Sequence, residues 1–205
     1  MKKNETLIKI INLDDHLPYK KFIEFYKIAL NNNQSPINAI IISSFDNVKF
    51  EVDSRFVNLK YIHGDEWTFF SNYKGPKSNQ FKDHNQISVI IYWESIDLQI
   101  RMKAKIRKAD KYLSDEHFKN RSFSKNAIAI SSNQSSKIDS YESVVRNYEE
   151  ALNMINENTE RPEYWGGFTF TPYYFEFWEG NKNRINKRVA YQFIKNDWKT
   201  FILQP

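Results

Sequence analysis

The apolar residues of this chain fall in short runs punctuated by turn residues, and that spacing limits what it can fold into. Ala39-Ile40-Ile41-Ile42 is β-branched and bounded by turn formers, so it reads as a buried strand. Asp46-Asn47 marks a hairpin turn, with a second strand over about 48–61. His63-Gly64-Asp65 is another turn, followed by a third strand over 67–71. Residues 87–93 and 98–107 read as a strand pair. Four more strands are expected over about 167–170, 174–178, 189–194 and 198–203.

Helical spacing appears between these runs. Phe22, Phe25, Tyr26, Ala29 and Leu30 predict a helix over about 18–30, which Asn31-Asn32-Asn33 ends. A short helix is expected over 78–82, and a helical pattern covers roughly 114–130. Tyr141, Val144, Val145, Tyr148, Ala151, Leu152 and Ile155 mark another amphipathic helix. Strands at short spacing with helices between them predict a mainly β, α+β chain: an antiparallel barrel with peripheral helices. With no Gly/Ser linker and no repeat, one domain is expected over residues 1–205.

Composition removes several chemistries. Aromatic residues make up 16% of the chain, too many for wholesale disorder. There is no cysteine, so disulfides, Cys-ligated zinc and thiol catalysis are out. The sequence holds no H-E-x-x-H, G-x-S-x-G, G-x-x-x-x-G-K-[ST] or G-x-G-x-x-G, and no metal site is expected. No apolar run approaches a membrane span, and MKKNETLIKIINLDDHL lacks the apolar stretch of a secretory signal. The expectation is a cytoplasmic protein without membrane or nucleic-acid partners. Lys plus Arg is 30 against 25 Asp plus Glu, a net charge of +5 that favours anionic partners, including phosphorylated small molecules. Arg55 and Lys60 suit phosphate, but five residues apart in a regular strand they point to opposite faces. Both reach one ligand only through a bulge or a strand end.

The order of the motifs is more specific than any single one. Ser54-Arg55-Phe56-Val57-Asn58-Leu59-Lys60 is followed by Phe69-Phe70-Ser71-Asn72-Tyr73, Lys77, Gln99-Ile100-Arg101 and Ser132-Asn133-Gln134-Ser135. The series closes with Trp165-Gly166-Gly167-Phe168, Glu176-Phe177-Trp178-Glu179-Gly180 and Asn183-Arg184-Ile185-Asn186-Lys187-Arg188. From about Pro36 to the C-terminus the series resembles the pyridoxamine 5'-phosphate oxidase family. The resemblance implies a split β-barrel working as a homodimer, with FMN in two clefts between subunits. It implies oxidation of pyridoxine or pyridoxamine 5'-phosphate to pyridoxal 5'-phosphate, with hydride passing to FMN and oxygen reoxidising it to give hydrogen peroxide. Arg55, Lys60, Phe70, Ser71, Lys77, Gln99, Gln134, Ser135, Trp178 and Arg188 match FMN contacts. Lys60, His117, Arg121, Lys125, Arg184 and Asn186 match the substrate side, with Arg184 and Asn186 at the catalytic positions over the flavin.

Several positions depart from the family pattern. Pro76 replaces a phosphate-binding arginine, His117 stands for a tyrosine, Lys125 for a serine, Asn186 for a histidine and Lys187 for an aspartate. No match to the family's N-terminal arginine-and-tyrosine segment stands before Pro36. His117 and Arg121 are four apart and share a helical face if the segment is one helix, making an anion site that Lys125 extends. These departures keep two alternatives open: a flavin oxidase of another ring compound, of the phenazine-biosynthesis type, or a non-catalytic binder of FMN or pyridoxal phosphate.

Overall fold

In the computed structural model, described over residues 7–205, nine strands belong to a single sheet. They are β1 (Lys9–Ile11), β2 (Ala39–Asp46), β3 (Glu51–His63), β4 (Glu66–Asn72), β5 (Gln86–Trp93), β6 (Leu98–Lys108), β7 (Trp165–Glu179), β8 (Lys187–Ile194) and β9 (Asp197–Leu203). β3 pairs with β2, β2 with β5, β5 with β6, β6 with β7, β7 with β4 and β4 with β3. That circuit closes six antiparallel strands into a barrel and leaves no free edge within it. β8 and β9 extend the sheet from β7, and β1 pairs with β3 in parallel. The expected antiparallel barrel is therefore present, with one parallel strand added; three residues gave β1 too little pattern to read.

Period-two burial builds the interior. Along β6, Leu98, Ile100, Met102, Ala104 and Ile106 are buried, while the residues between them face outward. Five helices lie around the sheet: α1 (Leu17–Asn31), α2 (Pro76–Asp83), α3 (Lys111–Lys119), α4 (Phe123–Ser131) and α5 (Tyr141–Met154). α1 buries Phe22, Phe25, Tyr26 and Ala29 of the stripe its spacing predicts, and Tyr19 besides, with Leu30 half-buried against the core. Phe22 meets Trp67 of β4 at 4.5 Å and Trp93 of β5 at 5.7 Å between ring centroids, so α1 is anchored in the barrel's aromatic core. Among the described residues no helix is long and apolar enough to cross a membrane.

Four sequence expectations need correction. The first hairpin turns over residues 47–50, so β3 starts at Glu51 rather than at 48. The helical stretch over 114–130 is two helices, because Asn120 closes α3 and Ser122 opens α4. The strands expected over 167–170 and 174–178 are one strand, β7, which runs past Pro172. Pro172 pairs with Ala104 beside a register shift in β6–β7, the setting in which a sheet tolerates proline. The fourth correction is the added parallel strand.

Candidate functional site: a cationic cleft with aromatic walls

Ten of the residues expected at the site line one open cleft of about 820 Å³. β3 supplies Arg55 and Lys60, and a register shift between Leu59 and Tyr61 separates their strand positions. This is the bulge that five-residue spacing required. β4 supplies Phe70 and Ser71, α2 supplies Lys77, and the loop after α4 supplies Gln134 and Ser135. His117 comes from α3, Arg121 from the α3–α4 connection and Lys125 from α4. The last three therefore do not share one helical face; the break after Lys119 bends them around the same cleft.

One end is held by Arg55 and Lys77. The Arg55 guanidinium donates to Ser44 Oγ at 2.6 Å and Gln80 Oε1 at 3.0 Å, and Gln80 Nε2 donates to Asp53 at 2.6 Å. Lys77 Nζ donates to Ser71 Oγ at 3.1 Å and Gln134 Oε1 at 3.0 Å. Its described partners are neutral, and burial, followed by the Arg55 charge, pushes its pKa down to about 8. Lys77 sits in the first turn of α2, where Gly75 is the N-cap without a side-chain bond and Pro76 fits the opening turn. Backbone N–H groups there add positive potential. Gln80 and Ser44 had no sequence signal beyond being polar positions on otherwise buried faces.

The other end gathers aromatic and cationic groups. Phe70 stacks on His117 with centroids 3.7 Å apart and on Trp165 at 5.5 Å. The Arg121 guanidinium lies 4.4 Å from the Trp165 ring centroid and donates to Asn126 Oδ1 at 3.1 Å. Burial lowers the Arg121 pKa to about 10, still far above neutrality. His117 behaves differently from the cation its position suggested. Burial first, then the Arg121, Lys60 and Lys125 charges, lower its pKa to about 3, so the imidazole is neutral at neutral pH. Beside Arg121 and Lys125, the His117 imidazole therefore stands neutral in the cleft wall.

Two glycines explain the Trp165-Gly166-Gly167 motif. A Cβ on Gly166 would run into the Tyr73 hydroxyl. A Cβ on Gly167 would stand 2.7 Å from the Ala109 Cβ and 3.2 Å from Phe70 Cε1. The motif lets β7 lie close against the cleft wall.

Gln99, Trp178, Arg184, Asn186 and Arg188 do not line this cleft. Gln99, Trp178 and Arg188 are consecutive partners across β6, β7 and β8. All three are half-buried, on the barrel's outer side. Arg188 donates from Nε and Nη2 to Glu176 Oε1 at 3.0 and 2.7 Å, and Arg101 donates to Glu176 Oε2 at 3.1 Å. Glu176, quoted in the motif series but given no role there, is only 2% exposed, a buried carboxylate that fixes Arg188. Arg184 is exposed in the β7–β8 loop with φ of 61°, and Asn186 Oδ1 accepts the Asn181 N–H at 3.0 Å. Asn186 therefore also holds the loop in shape.

Five cations, Arg55, Lys60, Lys77, Arg121 and Lys125, face this cleft against one carboxylate, Asp53. With aromatic walls and side-chain amides, this set fits a phosphorylated, ring-bearing ligand such as FMN. The fold and cleft together define a split β-barrel of the FMN-binding type.

Comparison with known proteins agrees. The family description "Pyridoxine 5'-phosphate oxidase C-terminal dimerisation region" matches residues 165–205. A pyridoxine/pyridoxamine 5'-phosphate oxidase of Rhodopirellula baltica is 30% identical over 195 residues, covering 92% of this chain and 87% of that protein. One from Hydrogenovibrio crunogenus is 29% identical, covering 92% and 88%. The crystal structure of PhzG from Burkholderia lata in complex with tetrahydrophenazine-1-carboxylic acid superposes with a TM-score of 0.86 at 21% identity, covering 94% of this chain and 99% of that one. A pyridoxamine 5'-phosphate oxidase-related, FMN-binding protein of Nostoc punctiforme gives a TM-score of 0.73 at 11% identity, covering 93% and 99%. The chain belongs to the pyridoxine/pyridoxamine 5'-phosphate oxidase family.

Proposed function

We propose that this protein is an FMN-dependent oxidase that converts pyridoxine or pyridoxamine 5'-phosphate to pyridoxal 5'-phosphate, working as a homodimer. The observation that carries this reading is the pair of cationic ends in one cleft, Arg55 with Lys77 and Arg121 with Lys125, on either side of an aromatic wall. Two phosphates, one on a flavin and one on a substrate, match two cationic ends. FMN, when bound, supplies the hydride acceptor and the route to oxygen. Arg55 and Lys77 bind its phosphate, and Ser71 and Gln134 hold Lys77 in place. Arg121, held over the Trp165 ring, binds the substrate phosphate with Lys125, and Phe70 walls the space between. The outer row of Gln99, Trp178 and Arg188, with Arg184 and Asn186 beside it, serves the cleft of a second copy. The matched dimerisation region contains four of those five residues.

The test is to load the purified chain with FMN and add pyridoxine 5'-phosphate under air. Pyridoxal 5'-phosphate and hydrogen peroxide are the expected products. Arg121→Ala raises KM strongly and leaves FMN bound; an unchanged KM removes Arg121 from the phosphate site.

A second reading has its own observation. Asn186 cannot carry a proton near neutral pH and already braces its loop. A substrate that needs no proton transfer at that position, such as a reduced ring of the phenazine type, suits it. Turnover of such a ring with neither B6 phosphate oxidised would favour this reading. A flavin that no candidate substrate reduces without oxygen would mark a binder.

A further inference from the structure

Tyr61 follows Lys60 in β3 and lies behind the cleft wall rather than in it. Its hydroxyl is 2.8 Å from His117 Nδ1, and the two rings meet edge to face at 5.4 Å. Among the described residues this is the only hydrogen bond of either side chain. The imidazole is also stacked on Phe70 within 11° of parallel and lies within 9° of parallel to Trp165. Its plane is therefore fixed from the sides and its rotation about the ring axis from the edge. A flipped ring would present a C–H to the phenol and lose the bond.

The bond also selects a tautomer. A phenol is a stronger donor than a neutral imidazole N–H, and an imidazole nitrogen is a stronger acceptor than a phenol oxygen. The favoured arrangement has Tyr61 donating to Nδ1, so the ring proton resides on Nε2. His117 lines the cleft with Lys60 of β3, Arg121 of the α3–α4 connection and Lys125 of α4, whose charges all act on it, and Lys9 of β1 lies 6.0 Å from the Tyr61 ring. These surrounding cations oppose a charged imidazole, and burial keeps the Tyr61 phenol protonated.

We propose that Tyr61 is a positioning residue that locks His117 as a neutral Nε2–H donor, so that position 117 contributes a hydrogen bond to the anionic group held by Arg121 and Lys125. The family pattern has a tyrosine at position 117; in this chain a histidine fills it, and the phenol behind it sets that histidine's chemistry. The inference rests on the proposed phosphate end of the cleft, and its tautomer component can be read without turnover.

The experiment uses full-length, FMN-loaded protein labelled with nitrogen-15 at histidine. His117 is expected to show the Nε2–H pattern and no titration between pH 5 and 8. In Tyr61→Phe it is expected to become a mixture of tautomers. Inorganic phosphate, added as the probe, is expected to shift the His117 signals, and with about 3- to 10-fold weaker binding in Tyr61→Phe, the loss of one hydrogen bond. The KM for pyridoxine 5'-phosphate should rise by a similar factor with kcat and FMN affinity unchanged. His117→Ala should have no further loss when Tyr61→Phe is added. An Nδ1–H or cationic ring in the wild type overturns the inference. So does phosphate binding, or KM, that Tyr61→Phe leaves unchanged. If the wild type fails to oxidise either B6 phosphate but the nitrogen and phosphate results hold, the proposed substrate falls and the Tyr61–His117 pair stands.

Discussion

Lys77 and His117 show how one cleft sets two basic side chains to different tasks. Lys77 has a pKa of about 8 because it is buried beside Arg55 with neutral described partners. An anionic ligand prefers the protonated amine, so FMN affinity should fall as pH rises above about 8. The limit is about tenfold per pH unit. Titration by flavin fluorescence between pH 7 and 9.5 measures this; in Lys77→Met the slope should flatten and binding weaken by about 10- to 100-fold at neutral pH. His117 has the opposite consequence, for stability. Its folded pKa of about 3 lies below the ordinary 6.5, so the unfolded chain binds the extra proton between those values. Its contribution is full above pH 6.5 and is lost as pH falls toward 3. The ceiling is about 5 kcal/mol. Urea unfolding at pH 4 and pH 7 should show a smaller pH difference for His117→Gln than for wild type; equal differences would mean the ring is not protected from protonation. The identities of both residues at the site were legible in the sequence through the resemblance. Their charge states were not, because burial and neighbouring charges exist only after the chain closes on itself.

At the scale of elements, the sequence showed where order exists better than where it breaks. The α1 stripe and the β6 alternation were legible because each is a local period repeated over many residues. The β3 bulge was legible only as a requirement of two cations serving one ligand. The α3–α4 break turns on Asn120 and Ser122, residues that a helix also tolerates in its interior, so periodicity alone ran through them. The two strands expected over 167–170 and 174–178 erred in the other direction, because β7 runs on through Pro172 beside a matching irregularity in its partner strand. The double glycine is the element-scale feature with the sharpest consequence. Gly167→Ala places a methyl 2.7 Å from Ala109 and 3.2 Å from Phe70, so β7 must shift or Phe70 must leave the His117 stack. The expected cost is about 1–3 kcal/mol, with weaker FMN binding in the same variant. A thermal melt and a flavin titration check both; an unchanged melting temperature would mean that β7 moves freely, contrary to its pairing with β4 and β6.

For the whole molecule, the question is why the residues expected at one site lie in two places. Ten line the cleft, while Gln99, Trp178 and Arg188 stand in a row on the outer side of the barrel near the loop that carries Arg184 and Asn186. Glu176 holds Arg188 in place with charge-assisted hydrogen bonds, an arrangement that costs desolvation and gains from a task for the arginine. A two-fold dimer resolves the division if each subunit's outer row completes the other's cleft. The proposal predicts complementation. Lys77→Met damages the cleft half and Arg188→Ala the outer half, so each homodimer has two impaired sites. A mixed dimer has one site with both defects and one with neither. Unfolding and refolding an equal mixture gives about half mixed dimers by random pairing, hence about a quarter of all sites intact. Flavin titration of the refolded mixture should recover about that fraction of tight sites, with the separate variants recovering none. Recovery of none in the mixture would place both residues at a site within one subunit, and the outer row would then need a different role.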